Sequence, residues 1–329
     1  MELLLTGSTG FVGQNLLLNL LGEERWSRII LPVRNPQKLR TQLEGEGRQV
    51  GDRLKIIPVS GDSWELPDEV RPDLVIHAAG RLFGRERADY FQTNVEGSLQ
   101  LAAQLPDHAR LIVLSSLAAG GPTPQGMEAR TITHADAPVS HYGASKLAME
   151  RALRDKLGAR LLILRPPMVL GPRDAATVPL FQMAKGFLRV KPGLRPKHYS
   201  WIAVEDLCEA LLSAASNDRA HPEPLYLASG QTITDAQLLA TAAQVIGANG
   251  LTLPLPHAVI RGISRLLDLH PSWREAVPSL GLDRVREILP DRWVCDGGHF
   301  GTCFDWKPRQ ELGETLRETA EYLKNQGRI

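Results

Sequence analysis

The sequence predicts an α/β protein with a doubly wound parallel sheet, because strand-like and helix-like patterns alternate through its first half. Six short apolar runs are separated by stretches with helical spacing. This alternation is typical of parallel sheets, since a crossover between parallel strands usually needs a helix. The predicted strands cover residues 3–5, 29–33, 54–59, 74–78, 111–114 and 161–164.

The first strand runs into a glycine-rich turn. Residues 6–13 read T-G-S-T-G-F-V-G and precede a predicted helix over residues 11–21. Gly7 permits a tight turn, Gly10 lets the backbone approach phosphates, and Gly13 lets helix and strand pack closely. The free N–H groups at a helix start also favour an anion. The turn therefore predicts a dinucleotide pyrophosphate site, with an ordinary tight turn as the alternative.

Two further patterns carry hydroxyl, phenol and ammonium groups. Ser116 follows the predicted strand 111–114, and ligands bind at the carboxyl ends of strands in open parallel sheets. Tyr142 and Lys146 are four residues apart on a predicted helix, so one face carries both. A lysine ammonium can stabilise a phenolate, whose unperturbed pKa of about 10 is otherwise too high for proton transfer at neutral pH. Taken alone, Ser116 is equally typical of a turn or a helix cap. The tyrosine–lysine pair, taken alone, is typical of a solvent-facing helix surface.

Composition narrows the class of protein. A chain of 329 residues exceeds the size of one core, so two lobes are expected: residues 1–172 with 201–230, and residues 173–200 with 231–329. A net charge of +1 without a long basic run argues against nucleic acid as a partner. Three cysteines do not make a disulfide scaffold, so a reducing, cytoplasmic location is expected. No apolar run approaches the ~20 residues of a membrane span.

These motifs, taken in order, resemble the extended short-chain dehydrogenase/reductase family over nearly the whole chain. The matching features are T-G-x-x-G-x-x-G at residues 6–13, Asp62, the strand end at Ala78, Ala79 and Gly80, Asn94, Ser116, Tyr142 with Lys146, R-P-x-x-V-x-G-P at residues 165–172, and residues 304–308. The resemblance implies a Rossmann sheet with a smaller, mostly helical C-terminal substrate lobe.

The resemblance also implies the roles of individual residues. Tyr142 would transfer a proton, Ser116 would polarise the reacting oxygen, and Lys146 would hold the nicotinamide ribose and lower the tyrosine pKa. The residues implied in dinucleotide binding are Gly7, Thr9, Gly10, Phe11, Val12, Gly13, Arg34, Asp62, Ser63, Ala78, Ala79, Gly80, Asn94, Tyr142, Lys146, Pro167 and Val169.

The second strand indicates which dinucleotide is preferred. An NAD site of this fold places a carboxylate after that strand, whereas this chain has Arg34 and no acid. Because a guanidinium suits a 2′-phosphate, NADP(H) is the expected cofactor. If Arg34 only stacks on adenine, NAD(H) would serve as well.

Departures from the family pattern indicate the substrate. Nucleotide-sugar enzymes of the family usually carry an asparagine where this chain has Met168, and a tyrosine where it has Gly120. These changes favour a hydrophobic, sterol-like or long-chain substrate, as in the 3β-hydroxysteroid dehydrogenase-like branch. An amphipathic pattern over residues 256–269 places Val259, Ile260, Ile263, Leu266 and Leu267 at helical spacing, with Arg261 and Arg265 on another face. This pattern is interpreted first as core packing, then as a substrate lid or a membrane contact.

Other hypotheses remain open at this point. A nucleotide-sugar epimerase or dehydratase is the main alternative, and a non-catalytic dinucleotide-binding regulator conflicts with the intact serine, tyrosine and lysine. A zinc site at Cys295, His299 and Cys303 would lack a fourth ligand, so no metal is expected. His77 is expected to be a packed residue. The family suggests a homodimer formed through helices near Leu99 and Leu147.

Overall fold

The computed structural model describes residues 1–60, 64–268 and 282–329, which fall into two compact units. The first unit comprises Met1–Ser116, Ser145–Arg165 and Cys208–Leu225. The second comprises Leu117–Ala144, Pro166–Leu207 and Tyr226–Ile329. None of the described helices is both long enough and apolar enough to cross a membrane.

A seven-stranded sheet organises the first unit. Its strands are β1 (Glu2–Thr6), β2 (Arg28–Val33), β3 (Leu54–Pro58), β4 (Leu74–His77), β5 (Arg110–Leu114), β6 (Leu161–Arg165) and β10 (Leu225–Tyr226). Their order is β10-β6-β5-β4-β1-β2-β3, and the pairs among β1 to β6 are parallel. The predicted doubly wound parallel sheet is therefore confirmed, with all six predicted strands present.

The strand order reverses at β1. β2 and β3 lie on one side of it, and β4, β5 and β6 follow on the other. In the parallel pair of β1 and β4, Thr6 is opposite His77 at the carboxyl ends of both strands. Because chains leave such a reversal in opposite directions, a crevice opens there, and it is where sheets of this type bind ligands.

Helices connect these strands and build the second unit. The described α-helices are α1 (Phe11–Leu20), α2 (Pro36–Gly45), α3 (Arg87–Phe91), α4 (Gly97–Ala103), α5 (Leu117–Gly120), α6 (His141–Leu157), α7 (Val178–Lys185), α8 (Val204–Ala215), α9 (Asp235–Val245), α10 (His257–Asp268), α11 (Leu282–Ile288), α12 (Gly298–Phe304) and α13 (Leu312–Asn325). A π-turn, Gln92–Glu96, joins α3 to α4. In the first unit, Leu4, Val75 and Leu111 of the sheet pack with Met149 and Leu153 of α6 in a buried core.

The second unit contains two smaller sheets. In one, β9 (His198–Ala203) pairs with three strands: β7 (Met168–Leu170), β11 (Thr232–Thr234) and β13 (Arg292–Trp293). The other is a parallel pair of β8 (Leu188–Pro192) and β12 (Leu251–Leu255). The core of this unit brings together buried Phe181, Trp201, Ala242 and Leu316.

Helix α10 corrects an expectation from the sequence. Its apolar residues were interpreted first as core, but Val259, Ile263 and Leu266 are exposed and only Ile260 among the described apolar positions near them is buried. The period of 3.6 correctly predicted the helix, but it does not distinguish an apolar face turned inward from one turned to solvent.

Candidate active site

The glycine-rich turn between β1 and α1 is closely packed. Gly7 has a φ of +73°, and a Cβ there would lie 2.7 Å from the Ala79 backbone nitrogen. A Cβ on Gly13 would lie 2.1 Å from the Gly7 carbonyl oxygen. Only glycine fits at either position, because backbone atoms cannot move aside as a flexible side chain can. The tight turn predicted for Gly7 is present, and Gly13 packs closely on that turn, at Gly7 and Ser8, rather than on strand β1 itself.

The start of α1 is open to an anion. Gly10 is the N-cap in extended conformation, is solvent-exposed, and supplies no side chain to the N–H groups that follow. Its own N–H donates to the Gly7 carbonyl at 2.9 Å, which holds the loop in shape. The first turn, beginning with Phe11 and Val12, contains no acidic residue. These features fit a dinucleotide pyrophosphate, which would meet free N–H groups and the positive end of the helix dipole.

A buried hydrogen-bonded chain ties the ends of β1 and β4 to α4. The Ala79 N–H donates to Thr6 Oγ1 at 3.2 Å, and Thr6 Oγ1 lies 2.7 Å from His77 Nδ1. His77 Nε2 lies 2.9 Å from Ser98 Oγ, which donates to the Asn94 carbonyl at 2.6 Å. Because the serine proton is used on a carbonyl, His77 Nε2 must be the donor and Nδ1 the acceptor.

His77 therefore has a structural role, as expected. Burial, together with the charge of Lys146, lowers the pKa of His77 from 6.5 to about 3. The ring stays neutral at physiological pH, so it is fixed as a donor at one nitrogen and an acceptor at the other.

Asn94, in the π-turn, fixes the loop that follows β4. Its Oδ1 accepts from the Arg81 N–H at 2.7 Å, and its Nδ2 donates to the Arg81 carbonyl at 3.2 Å. The same Nδ2 donates to Ser145 Oγ at 2.9 Å. One amide thus positions both the loop containing Ala79 and Gly80 and the residue next to Lys146 in α6.

Lys146 is a buried cation. Its side chain is only 4% exposed, and Nζ donates to the Leu114 carbonyl at 2.9 Å. Burial lowers the pKa of Lys146 from 10.5 to about 8, although the negative charge of Glu150 opposes this shift. A Cβ on Gly80 would lie 3.0 Å from Nζ, so glycine leaves room beside the ammonium. An ammonium held in this way is available to a neighbouring ribose hydroxyl or phenol.

Tyr142 lies in the first turn of α6, one turn before Lys146. Ser140 caps that turn, since its Oγ accepts from the Gly143 N–H at 2.9 Å. Helix α11 adds a second anchor, with Asp283 Oδ1 accepting from the His141 N–H at 2.7 Å. Tyr142 itself is half-buried and packs on a cluster that includes Leu117, Tyr226 and Trp293.

Ser116 is the second residue after β5 and immediately precedes α5, and it is half-buried. The prediction that a hydroxyl follows the carboxyl end of this strand is therefore met. Pro167 and Val169, the residues expected near the nicotinamide, are half-buried in and beside β7. Arg34 follows β2 and is exposed, while Asn35 caps α2 by accepting from the Lys38 N–H at 2.9 Å. Asp62 and Ser63 lie outside the described residues.

A buried ion pair under α6 was not anticipated. Arg165 Nε donates to Glu150 Oε1 at 2.9 Å, its Nη2 bonds the second carboxylate oxygen, and Ser115 Oγ donates to Glu150 as well. All three residues are at least 95% buried. Glu150 lies one turn after Lys146, so it supplies the negative charge nearest to that ammonium on α6. The arginine of the R-P motif was visible in the sequence, but its partner was not.

Cys295, the first residue of the dismissed zinc pattern, is buried. Burial raises the pKa of its thiol to about 12, so it stays protonated at neutral pH. Its backbone N–H donates to Ser200 Oγ at 3.0 Å, which indicates a packing role in the second unit.

Comparison with known proteins identifies the class of enzyme. The model of the NAD dependent epimerase/dehydratase family matches residues 3–228. The fold and these motifs are those of an extended short-chain dehydrogenase/reductase. The chain belongs to the NAD dependent epimerase/dehydratase family.

Individual relatives differ in reaction. The chain is 28% identical to a ceramide reductase of Caulobacter vibrioides over 88% of this chain and 84% of that protein. It is 25% identical to a UDP-glucose 4-epimerase of Vibrio cholerae over 97% and 94%. A UDP-glucuronic acid 4-epimerase from Bacillus cereus, solved with UDP-glucuronic acid and NAD, aligns with a TM-score of 0.75 and 16% identity over 99% of this chain and 100% of that chain. The structural match shows the shared fold.

Proposed function

We propose that this protein is an NADP(H)-dependent oxidoreductase that interconverts a hydroxyl and a carbonyl group on a hydrophobic substrate. The observation that carries the proposal is the buried Lys146 ammonium, one helical turn after Tyr142 and with its pKa lowered to about 8. Burying a lysine costs free energy, so a buried cation beside a candidate acid is typical of a functional site.

The chemistry assigned to these residues is proton transfer coupled to hydride transfer. The dinucleotide, when bound, supplies or accepts the hydride. In the reducing direction the Tyr142 phenol gives its proton to the substrate oxygen while the carbonyl carbon gains the hydride, and the product is an alcohol. Ser116 Oγ donates a hydrogen bond to that oxygen. The Lys146 ammonium stabilises the phenolate left behind, which then regains a proton from solvent.

The preference for NADP(H) rests on Arg34. Its guanidinium is exposed after β2, where a carboxylate would bond a ribose 2′-hydroxyl in an NAD site. A guanidinium instead forms two parallel hydrogen bonds with a phosphate. NAD(H) is the alternative, and the Bacillus cereus structure contains NAD.

The hydrophobic substrate is supported by apolar residues at two positions. Met168, in β7, is half-buried and packs on the core of the second unit, and Gly120 is buried at the end of α5. Neither offers a hydrogen bond from its side chain to a sugar or phosphate. The similarity to a ceramide reductase, whose name states a lipid substrate, agrees with this assignment.

A nucleotide-sugar epimerase is the second candidate, favoured by the Vibrio cholerae relative that spans 97% of this chain. The two candidates differ in one measurable respect. An epimerase restores its nicotinamide within each turnover, so it causes no net change in cofactor absorbance.

The test combines absorbance with thermal shift. Purified protein with NADPH is offered long-chain and sterol-like ketones in one panel and nucleoside diphosphates in another. We expect NADPH oxidation with a lipophilic ketone and a raised melting temperature through binding linkage. Tyr142→Phe is the control, since it should keep the thermal shift and lose the oxidation. Stabilisation by a nucleoside diphosphate alone would overturn the substrate assignment in favour of the epimerase.

A further inference from the structure

Two segments of the second unit have a marked bias in charge. Residues 181–197 contain five lysines and arginines and no aspartate or glutamate. Residues 248–268, through the end of α10, contain two arginines and one aspartate, Asp268. The whole chain, by contrast, has 38 basic and 37 acidic residues. The exposed members are Lys185, Arg195, Arg261 and Arg265. The other basic residues do not add to this exposed charge, because Arg189 and Lys197 are buried, and Lys191 and Lys197 pair with Asp235 and Asp291. The positive charge that these segments expose is therefore that of four side chains on a nearly neutral protein.

The same segments expose an apolar sheet face. In the parallel pair of β8 and β12, Leu251 is opposite Leu188 and Leu253 is opposite Val190. Side chains two residues apart on a strand share a face, so these four side chains lie together on one side of the pair. Leu251 is 61% exposed, and Phe187, immediately before β8, is 73% exposed. Soluble proteins rarely leave such a cluster uncovered.

Helix α10 follows β12 after a single residue, Pro256, and has an exposed apolar stripe of its own. Val259, Ile263 and Leu266 are spaced by four and three residues, so they share one helix face, and all are exposed. Ile260 and Ser264 are buried on a different face of the helix.

The two arginines of α10 occupy the flank between these faces. At about 100° per residue, Arg265 lies about 100° from Leu266 and Arg261 about 140° from it, so both lie between Ser264 of the buried face and the far edge of the apolar stripe. Long basic side chains in that position can reach lipid headgroups while the stripe enters the acyl boundary.

We propose that the β8–β12 pair and α10 together form a docking surface for a lipid bilayer that contains anionic lipids. The exposed leucine, isoleucine and phenylalanine side chains would insert into the acyl boundary of the bilayer, and the basic side chains would attract the anionic headgroups. A second copy of this chain fits less well, because a symmetric interface would place the same positive surface against itself. The proposal does not depend on the identity of the substrate.

The experiment is vesicle flotation with the full chain, without substrate or cofactor. One set of vesicles is pure phosphatidylcholine, and the other contains about a third phosphatidylglycerol. We expect flotation with the anionic vesicles, weakened by salt, and little with the neutral ones. Arg261→Glu with Arg265→Glu should reduce the partition coefficient at least about tenfold, since each basic residue contributes about 1 kcal/mol near such a surface.

Matched variants separate docking from general effects. Leu251→Ser with Leu253→Ser removes exposed apolar groups and should also abolish flotation. Met127→Ser removes an apolar side chain that is 51% exposed elsewhere in the second unit, and should not. Arg40→Glu with Arg48→Glu makes the same charge change at exposed positions of the first unit, and should leave flotation nearly unchanged. All variants are checked for an unchanged melting temperature.

Three results would overturn the proposal. Equal flotation with neutral and anionic vesicles, or indifference to the Arg261 and Arg265 reversal, would exclude an electrostatic docking surface. A concentration-dependent dimer in light scattering that the Leu251 and Leu253 variant dissociates would assign the face to a second copy instead. None of these results would bear on the oxidoreductase activity, which is measured separately in solution.

Discussion

Replacing Lys146 by methionine should stabilise the fold at neutral pH while removing activity. The lysine pKa falls from 10.5 to about 8 on folding, so the unfolded chain binds that proton more tightly than the folded protein. By linkage, this difference of about 2.5 units costs the native state about 3 kcal/mol at pH 7. Methionine has similar length and no charge. It also gives up the hydrogen bond to the Leu114 carbonyl, worth about 1 kcal/mol, so a net gain of about 2 kcal/mol is expected.

The pH dependence of this gain has a defined sign. Between the folded and unfolded pKa values, the unfolded lysine keeps its proton and the folded one loses it, so wild-type stability rises with pH in this window. At pH 9.5 the cost of the buried charge is only about 1 kcal/mol, which the lost hydrogen bond offsets. The advantage of Lys146→Met should therefore vanish near pH 9.5.

Differential scanning fluorimetry at pH 7 and pH 9.5 measures both effects. At about 2 °C per kcal/mol, the variant should melt about 4 °C higher at pH 7 and within about 1 °C of wild type at pH 9.5. Lys156→Met is the matched control on the exposed side of the same helix, and it should show no such difference. A Lys146→Met protein that melts below wild type at pH 7 would refute the reasoning, because the lysine charge would then be fully compensated in the folded state.

Three other substitutions test separate parts of the site. Arg34→Ala should weaken NADPH binding about tenfold or more and leave NADH binding unchanged, as measured by calorimetry. The control Arg40→Ala, at an exposed position, should change the affinity for neither cofactor. Equal dissociation constants of NADPH and NADH for the wild-type protein would contradict the assignment. Tyr142→Phe should lower kcat at least about 100-fold with little change in dinucleotide affinity, and a tenth of the rate remaining would exclude it as the acid. Glu150→Gln should destabilise the first unit by about 3–5 kcal/mol in urea unfolding, because Arg165 is left buried without its counter-charge; a loss below about 1 kcal/mol would show that the pair is not needed.

The parallel sheet could be predicted from the sequence because its signals are local. A buried strand in a doubly wound sheet is a short apolar run, and each of the six predicted runs matches an observed strand to within one or two residues. The glycine turn was equally accessible, since a φ of +73° at Gly7 and the contact of Gly13 with Gly7 are requirements that only glycine meets.

The buried polar network could not be predicted in the same way. Glu150 and Arg165 are fifteen residues apart on a helix and a strand, and nothing local marks them as partners. The Asn94 amide likewise bonds residues thirteen positions before it and fifty-one after it. For helix α10, the sequence predicted the amphipathic helix correctly. It did not predict whether the apolar face is buried or exposed, because that depends on which other parts of the chain pack against the helix.

The π-turn at Gln92–Glu96 has a consequence for how this family can change length. From α3 through α4 the backbone is helical without interruption, and the buried residues Tyr90, Asn94, Ser98 and Leu101 follow one another along it. A π-helical turn is one residue wider than an α-helical turn, so it takes up one extra residue locally and leaves the helix on either side in nearly the same orientation. Deleting one residue there would therefore keep Ser98 near His77 and Leu101 in the core, and would remove the widened turn that contains Asn94. A single-residue gap in this stretch therefore marks a relative that must fix the loop after β4 by other means.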